Sequence, residues 1–502
     1  MQGNRTYETP SVKLNQIHTC LIWNQGSAIV GAAVYSGMGK YTFSPYDASD
    51  PGEQFDTIFL TNLLDFYSPG FSIDFSSTSN TLADFPDGIS QFPYQSTHGI
   101  LMSTNTSLYF LNSDEGVYVY DILNNKGEFD VVPMNHSHPA GSSKGGYASD
   151  PVTGRMFYAG TYDGTTEEMD NKGRGWLEIL ETDHRTPKET SGENITPRWV
   201  NRVDNGPSLV GSALNYLRYG KQGVLVAFGG SDYNVTTNSY NEYMNNIKVF
   251  DIDSSKWYTV QATGGSSEKD IPPSGQIFYS GVSAAPDDSS FQITIYYQGR
   301  VFVLTIPTFQ WLDVTPGDQS NGDGNGNPGR ELGTAVVWNE AQMIIVGGLV
   351  KNGANSTRNG CSSGSPYLFL DLTVFEWKTA QEFNFDQAYT QPKYVYSLIG
   401  GDYSGGNKQK GPPGGFNNSS LDSIFATTLP KVPANLTDIS LEGIFPKINV
   451  TPKKSKIPII VGATVGGVVG VMLILGIIWY FWWRRRGQQI PEVPKATVLE
   501  LE

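Results

Sequence analysis

Residues 224–257 read VLVAFGGSDYNVTTNSYNEYMNNIKVFDIDSSKW, and this stretch is the most complete copy of a pattern that recurs along the chain. A β-rich run ends in Gly229-Gly230, and a second β-rich run ends in Asp251 and leads to Trp257. Glycine tolerates the dihedral angles and the crowding at a point where the chain turns tightly beside a neighbouring sheet. The aspartate closes the next strand into a turn, and the tryptophan then falls on an outer strand. The stretch therefore predicts one antiparallel sheet that must pack against neighbouring sheets.

Similar stretches recur along the chain at intervals of about fifty residues or more, a spacing that is typical of propeller repeats. Three copies place a tryptophan six residues after an aspartate or threonine: Asp251 and Trp257, Thr305 and Trp311, and Asp371 and Trp377. The runs that resemble inner strands are AIVGAAVYSG (28–37), SLYFLN (107–112), RMFYAGT (155–161), VLVAFGG (224–230), ITIYYQG (293–299), MIIVGG (343–348) and YVYSLIGG (394–401). These runs predict an all-β propeller of six or seven four-stranded blades, with seven favoured. The seventh blade would include DSIFATTL (422–429).

The repeats resemble those of the kelch family. The matching residues are Gly229-Gly230 with Trp257, Gly347-Gly348 with Trp377, and Gly400-Gly401. The resemblance covers roughly residues 18–430. The chain is similar to fungal membrane- or cell-wall-anchored kelch proteins with a galactose-oxidase-like or attractin-like propeller. That resemblance implies a propeller outside the cell.

A long uncharged segment lies near the end of the chain. Residues 457–483 read IPIIVGATVGGVVGVMLILGIIWYFWW, and about 20 apolar residues suffice to span a bilayer as a helix. Arg484, Arg485 and Arg486 follow, and we expect them on the cytoplasmic side, although lysines at 453–456 nearly balance the charge. The segment predicts a single-pass transmembrane helix. Gly462, Gly466 and Gly470 share one face of it, which makes a homodimer through that helix possible.

The chain therefore divides into an N-terminal segment (1–17), a propeller ectodomain (18–430), a Pro- and Lys-containing stalk (431–456), the transmembrane helix (457–483) and a short cytoplasmic tail (484–502). The first residues contain no apolar stretch of signal-peptide length, so we expect that the start is missing from this sequence. Glycosylation sequons lie only before the apolar segment and favour an exported glycoprotein. They are Asn4, Asn105, Asn135, Asn194, Asn234, Asn355, Asn417, Asn418, Asn435 and Asn449.

Composition and motifs limit the partners and metal sites that the chain could have. A net charge of −15 argues against a nucleic-acid partner. Cys20 and Cys361 are too few for a disulfide scaffold or a CxxC metal site, and whether they pair is open. The five histidines are His18, His98, His136, His138 and His184. Only His136 and His138 are close in sequence, and both read as loop residues rather than as copper ligands.

Other sequence motifs of catalytic and metal sites match this chain poorly. The Asn321, Asp323, Asn325, Gly326 pattern begins like a calcium loop, but Leu332 occupies the position that a glutamate would need. We find no nucleophile elbow, phosphate loop or dinucleotide fingerprint. We therefore expect no catalytic residue, cofactor or metal site. The sequence favours a non-enzymatic cell-surface recognition or adhesion module for a protein or glycan ligand. The alternative is a galactose-oxidase-like extracellular enzyme with its site on the central axis.

Overall fold

The computed structural model describes a set of segments between residues 21 and 431. They are residues 21–23, 25–30, 33–37, 40–42, 53–54, 57–62, 81–84, 100–104, 107–112, 116–122, 130–133, 143–150, 154–161, 175–182, 198–230, 232–234, 239–241, 244–275, 279–316, 329–350, 367–384 and 386–431. The N-terminal segment (1–17), the predicted transmembrane helix (457–483) and the tail (484–502) lie outside the described residues, as does the stalk after Lys431.

These segments are built almost entirely of short β-strands. In chain order the strands are β1 (Leu21–Trp23), β2 (Gly26–Val30), β3 (Ala33–Gly37), β4 (Lys40–Thr42), β5 (Glu53–Gln54), β6 (Thr57–Asn62), β7 (Thr81–Asp84), β8 (Ile100–Ser103), β9 (Ser107–Asn112), β10 (Gly116–Asp121), β11 (Asp130–Pro133), β12 (Ser143–Ser149), β13 (Met156–Thr161), β14 (Gly175–Glu181), β15 (Arg198–Gly206), β16 (Ala213–Leu217), β17 (Val224–Phe228), β18 (Asp232–Asn234), β19 (Ser239–Asn241), β20 (Asn246–Asp251), β21 (Lys256–Gln261), β22 (Thr263–Gly264), β23 (Tyr279–Ala284), β24 (Phe291–Tyr297), β25 (Arg300–Ile306), β26 (Gln310–Asp313), β27 (Arg330–Glu331), β28 (Thr334–Trp338), β29 (Gln342–Val346), β30 (Leu349–Val350), β31 (Tyr367–Asp371) and β32 (Glu376–Lys378). Two α-helices follow, α1 (Lys393–Ile399) and α2 (Ser419–Phe425), and two short 3-10 helices cover Glu268–Asp270 and Ala380–Glu382.

The large sheets form an all-β propeller. Five of them are four-stranded blades: sheet A (β2, β3, β6, β7), sheet B (β8 to β11), sheet C (β12 to β15), sheet D (β16, β17, β20, β21) and sheet F (β28, β29, β31, β32). Sheet E has five strands, in the order β22-β26-β25-β24-β23. The first strands of neighbouring sheets touch in sequence order, and β28 of sheet F touches β2 of sheet A. The sheets therefore surround one axis.

Side chains from the first and last sheets join across the closure of the ring. The Gln25 side-chain amide donates a hydrogen bond to the Val346 carbonyl oxygen at 2.7 Å, and the Thr334 hydroxyl donates to the Ser27 hydroxyl at 2.8 Å. All three side chains involved are buried. These polar contacts connect residues more than 300 positions apart in the chain. They therefore stabilise the contact between the first and last sheets, which forms only when the ring closes.

Apolar residues fill the spaces between adjacent sheets, because each sheet is apolar on both faces. Trp311, Phe228 and Ile293 belong to the cluster between sheets D and E, and Leu370 and Val303 belong to the cluster between sheets E and F. The two α-helices contribute to these same clusters through buried aliphatic and aromatic residues. The core is therefore a series of inter-sheet layers.

The prediction of six or seven four-stranded blades, with seven favoured, is wrong. Five blades have four strands, and sheet E has a fifth strand because β22 pairs in parallel with β26, Thr263 opposite Gln310. The expected inner strand at 394–401 is helix α1, and much of the expected strand at 422–429 lies in helix α2. Among the described residues, neither α-helix is long and apolar enough to cross a membrane.

Packing explains why the 394–401 segment is helical. Val395 and Ile399 are four residues apart, so they share one face of a helix, and both are buried in the cluster between sheets E and F. Pro392 precedes the first turn, where its missing N–H costs nothing, and Gly400 ends the helix with a φ of 83°. The segment caps a propeller that is already closed instead of adding a blade to it.

Candidate ligand-binding face

Connections between consecutive strands leave the propeller from two opposite faces. The first and second strands of sheets D, E and F are joined by residues 218–223, 285–290 and 339–341, and we call the side that carries these connections the turn face. Antiparallel strands alternate in direction, so the second-to-third connections leave from the opposite side, the loop face. In sheets D and F those connections run from 229 to 245 and from 347 to 366. In sheets D and F the long connection therefore leaves from the loop face, whereas in sheets A and C long third-to-fourth connections, over 63–80 and 182–197, leave from the turn face.

Gly229 and Gly230 lie where the chain leaves β17 on the loop face. Their φ angles are 69° and 68°, a conformation that side chains other than glycine rarely adopt. A Cβ atom on Gly230 would lie 2.1 Å from the Val210 carbonyl oxygen. The Gly230 amide donates to the Gly275 carbonyl oxygen at 2.7 Å. This pair thus turns the chain and lets it approach the next inter-sheet connection.

Gly347 and Gly348 occupy the equivalent point after β29, with φ angles of 63° and 101°. A Cβ atom on Gly348 would lie 2.1 Å from the Tyr279 hydroxyl oxygen. That hydroxyl accepts a hydrogen bond from the Gly333 amide at 3.0 Å, and burial raises the pKa of Tyr279 far above its usual value. The tyrosine is therefore a neutral structural group at pH 7.

Gly400 and Gly401, the third predicted pair, do not lie at the end of a strand. They follow helix α1, and both have positive φ angles. A Cβ atom on Gly401 would lie 2.0 Å from the Gly405 carbonyl oxygen. The glycine pair is thus required for a tight turn, but that turn belongs to the C-terminal segment and not to a blade.

The three spaced tryptophans lie on the fourth strands of sheets D, E and F. Trp257 is opposite Phe250, Trp311 opposite Leu304 and Trp377 opposite Leu370, so each has the same register relative to the preceding Asp or Thr. Trp311 is fully buried, whereas Trp257 and Trp377 are half-buried.

The tryptophans also pack against the sheet that precedes their own. Trp311 makes an edge-to-face contact with Phe228 of sheet D, with ring centroids 5.3 Å apart, and its indole N–H donates to the Met244 carbonyl oxygen at 2.8 Å. Trp377 contacts Tyr296 of sheet E at 5.6 Å in the same manner. Trp311 and Trp377 therefore join successive sheets.

A small cavity opens on the loop face between sheets C and D. Its volume is about 20 Å³, roughly enough for one water molecule. The polar groups at its edge are Ser208, Asn246 and Lys248, beside the Gly229-Gly230 turn. No sequence motif marks this group, because its members come from an inter-sheet connection and a third strand. The Lys248 ammonium donates a hydrogen bond to the Thr259 hydroxyl on the neighbouring strand at 3.5 Å, and a cavity of this size has no room for a ligand larger than a water molecule.

The C-terminal strap, which we define as residues 386–431, lies on the turn face of sheets D, E and F. The Leu429 amide donates to the Arg218 carbonyl oxygen at 2.7 Å, and the Gly220 amide donates to the Thr427 carbonyl oxygen at 2.9 Å. Lys431 pairs with Glu340 at 2.5 Å. These contacts reach the first turns of sheets D and F, so the strap crosses several sheets.

The strap also contacts the first turn of sheet E, through Asp287. Its carboxylate accepts hydrogen bonds from the Ser289 amide at 3.0 Å and the Gly406 amide at 2.6 Å. Partial burial alone would raise the pKa of Asp287, but these hydrogen bonds together lower it below the usual value. Asp287 is therefore an ionised acceptor that holds the strap.

Most of the residues that the sequence analysis considered as metal ligands, disulfide partners, helix-contact residues or glycosylation sites lie outside the described residues. These are all five histidines, both cysteines, Asn321, Asp323, Asn325 and Gly326, the glycines Gly462, Gly466 and Gly470, and the sequons at Asn4, Asn105, Asn135, Asn194, Asn355, Asn435 and Asn449. Asn234 lies in β18. Asn417 and Asn418 are exposed, and Asn418 caps helix α2 by accepting the Ser420 amide at 2.9 Å. Within the described segments, no group of three or more His, Cys, Asp or Glu residues could hold a metal ion.

Comparison with known proteins agrees with the repeat pattern. No protein-family model matches the chain. A kelch repeat-containing protein of Arthroderma benhamiae is 26% identical over 549 aligned residues, which cover 93% of this chain and 75% of the relative. The predicted kelch resemblance is confirmed. The membrane or cell-wall anchoring that this resemblance implied stays a prediction.

The solved structures that this propeller resembles are distant. One is a chain in a complex of RAG with one melted and one unmelted RSS, with a TM-score of 0.35, 12% identity, and coverage of 59% of this chain and 85% of that one. Another is oligogalacturonate lyase in complex with manganese, with a TM-score of 0.34, 9% identity, and coverage of 76% and 82%. A third is the Malassezia sympodialis allergen Mala s 1, with a TM-score of 0.30, 12% identity, and coverage of 61% and 90%. At these scores the likenesses carry no inference about function.

Proposed function

We propose that this protein is a non-enzymatic recognition module that binds a protein or glycan ligand through its loop face. A kelch-repeat propeller suggests an interaction module in general. The arrangement of sheets D to F supports the more specific proposal. The strap covers first-to-second strand turns on one face, whereas the long connections after Gly229-Gly230 and Gly347-Gly348 leave from the other. Variable connections on a rigid scaffold are the usual place for binding residues.

Site-specific cross-linking tests which face binds. A photo-cross-linking residue is placed at Gln298, an exposed position in the β24–β25 turn on the loop face, and separately at Lys221, an exposed position on the turn face. The full chain is displayed on cells and exposed to its native surroundings. We expect a discrete adduct from position 298 and none from position 221. Adducts from position 221 alone, or equal adducts from both, would contradict the proposal.

We further propose that the propeller is held at the cell surface by a helix over 457–483. The uncharged segment, the arginines that follow it and the sequons that precede it support this arrangement. Tags at both ends, with protease and glycosidase treatment of intact cells or sealed microsomes, test it. We expect the N-terminal tag to be cut without permeabilisation and the sequons to carry glycan. An N-terminal tag that is cut only after permeabilisation would reverse the orientation.

A further inference from the structure

Two tyrosines of the strap are strongly exposed. Tyr394 is 64% exposed and Tyr403 is 66% exposed. The Gln391 amide donates to the Tyr403 carbonyl oxygen at 2.8 Å, so the backbone of Tyr403 lies beside the start of α1, and α1 carries Tyr394 in its first turn. The two tyrosines therefore lie in neighbouring parts of the strap.

Neither phenol ring is needed to hold the strap in place. Val395 and Ile399 anchor α1 in the core, and Leu421, Ile424 and Phe425 anchor α2. An exposed tyrosine offers a flat apolar ring and a hydroxyl with few rotatable bonds, a combination that suits contact with partly polar ligands. Two such exposed rings in neighbouring parts of the strap suit a contact surface.

The charge around these rings differs from that of the chain as a whole. The chain carries a net charge of −15, but residues 391–411 contain three lysines, Lys393, Lys408 and Lys410, and one acid, Asp402. All three lysines are exposed. Lys393 begins α1, and the Lys408 side chain lies against Gly400 at the other end, where an added Cβ would be 3.3 Å from it. Cations therefore lie at both ends of the short helix that carries Tyr394.

The neighbouring carboxylates are already engaged by the protein. Asp402 accepts hydrogen bonds from the Ser404 amide at 2.8 Å and the Ser404 hydroxyl at 2.6 Å, and these bonds lower the pKa of Asp402. Asp287 is bound to the Gly406 amide. Both carboxylates stay ionised, but Lys393, Lys408 and Lys410 outnumber them, so the local field at the tyrosines is more favourable to an anion than the net charge of −15 suggests.

We propose that this surface, formed by Lys393, Tyr394, Tyr403 and Lys408, binds an acidic polysaccharide. The apolar face of a pyranose ring stacks on a tyrosine ring, and a carboxylate or sulfate of the polymer pairs with a lysine ammonium group. Both kinds of contact are suited to an exposed site, because neither requires a deep pocket. The surface lies on the strap, so this inference does not depend on ligand binding at the loop face.

Binding of the full chain, solubilised in detergent, to immobilised heparin, hyaluronan and polygalacturonate tests the proposal, with dextran as the neutral control. We expect at least one acidic polymer to bind and dextran not to bind. Tyr394→Ala combined with Tyr403→Ala should weaken binding at least tenfold. Lys393→Ala combined with Lys408→Ala should weaken it and reduce its dependence on salt concentration.

Val374→Ala is the matched control, because Val374 is an exposed apolar residue outside the strap, and it should leave binding unchanged. Urea unfolding of each variant shows whether the fold is intact. Failure of all three acidic polymers to bind, or unchanged binding by the tyrosine variant, would overturn the proposal. So would capture of a protein partner through these tyrosines without any polysaccharide binding. None of these outcomes bears on cross-linking from position 298.

Discussion

The ion pair between Arg218 and Asp288 offers a quantitative test of how the strap is attached. The Arg218 guanidinium donates two hydrogen bonds to the Asp288 carboxylate, at 2.9 Å and 2.5 Å, and a third to the Leu429 carbonyl oxygen at 3.2 Å. The two side chains are only 9% and 20% exposed. The guanidinium also lies over the Phe291 ring, 5.2 Å from its centroid. One arginine thus connects sheet D, the first turn of sheet E and the strap.

Asp288→Asn removes the charge and keeps the backbone conformation. Asp288 has a φ of 57°, and asparagine tolerates that region almost as well. Removing one partner of a buried pair costs about 3–5 kcal/mol, and the partial exposure of Asp288 reduces that penalty. We therefore expect the free energy of unfolding to fall by about 2–3 kcal/mol. Protease should also cut the strap faster, because the contact to Leu429 loses its oriented donor.

Asp253→Asn is the control, measured by the same urea unfolding and limited proteolysis. Asp253 pairs with Lys221 at 3.3 Å, but the Lys221 side chain is 80% exposed, and exposed pairs contribute about 0.2–1 kcal/mol. We expect little change in strap cleavage for this variant. If Asp288→Asn were no more destabilising than Asp253→Asn, and cleavage of the strap were unchanged, the proposed role of the buried pair would be refuted.

Three further predictions concern the blades. Trp311→Ala should lower the free energy of unfolding by about 3–5 kcal/mol, whereas Trp311→Phe should lose less, because it removes mainly the hydrogen bond to Met244; equal losses in urea unfolding would contradict this. Gly230→Ala should be far more destabilising than Gly415→Ala, since both have positive φ but only Gly230 is crowded; equal urea midpoints would contradict the packing argument. Burial raises the pKa of Tyr109 from 10.0 to about 12, so its contribution is present below pH 10 and is lost as pH rises towards 12. Tyr109→Phe should make the decline in stability above pH 10 less steep, as urea titrations at successive pH values would show, and an unchanged slope would exclude this role.

Part of the candidate site could be read from the sequence. The Gly229-Gly230 and Gly347-Gly348 pairs marked the points where long connections leave the loop face, because positive φ and close approach restrict those positions to glycine. No sequence pattern singled out Lys248 and Asn246 at the small cavity. The same is true of Arg218 and Asp288 at the strap. Arg218 and Asp288 are 70 residues apart, and no spacing rule links side chains that meet only after two sheets have packed.

The sequence alone determined the repeating strands, the glycine turns and the register of Trp257, Trp311 and Trp377, because those features depend on local dihedral angles and on the alternation of side chains along a strand. Tertiary structure decided the number of strands in each sheet, the closure of the ring and the secondary structure of residues 394–401. That segment is apolar enough for either a strand or a helix, and propensity in such a segment yields to context. It became helix α1 because the ring was already closed by β28 and β2, and the remaining space in the core fitted Val395 and Ile399 on one face of a helix.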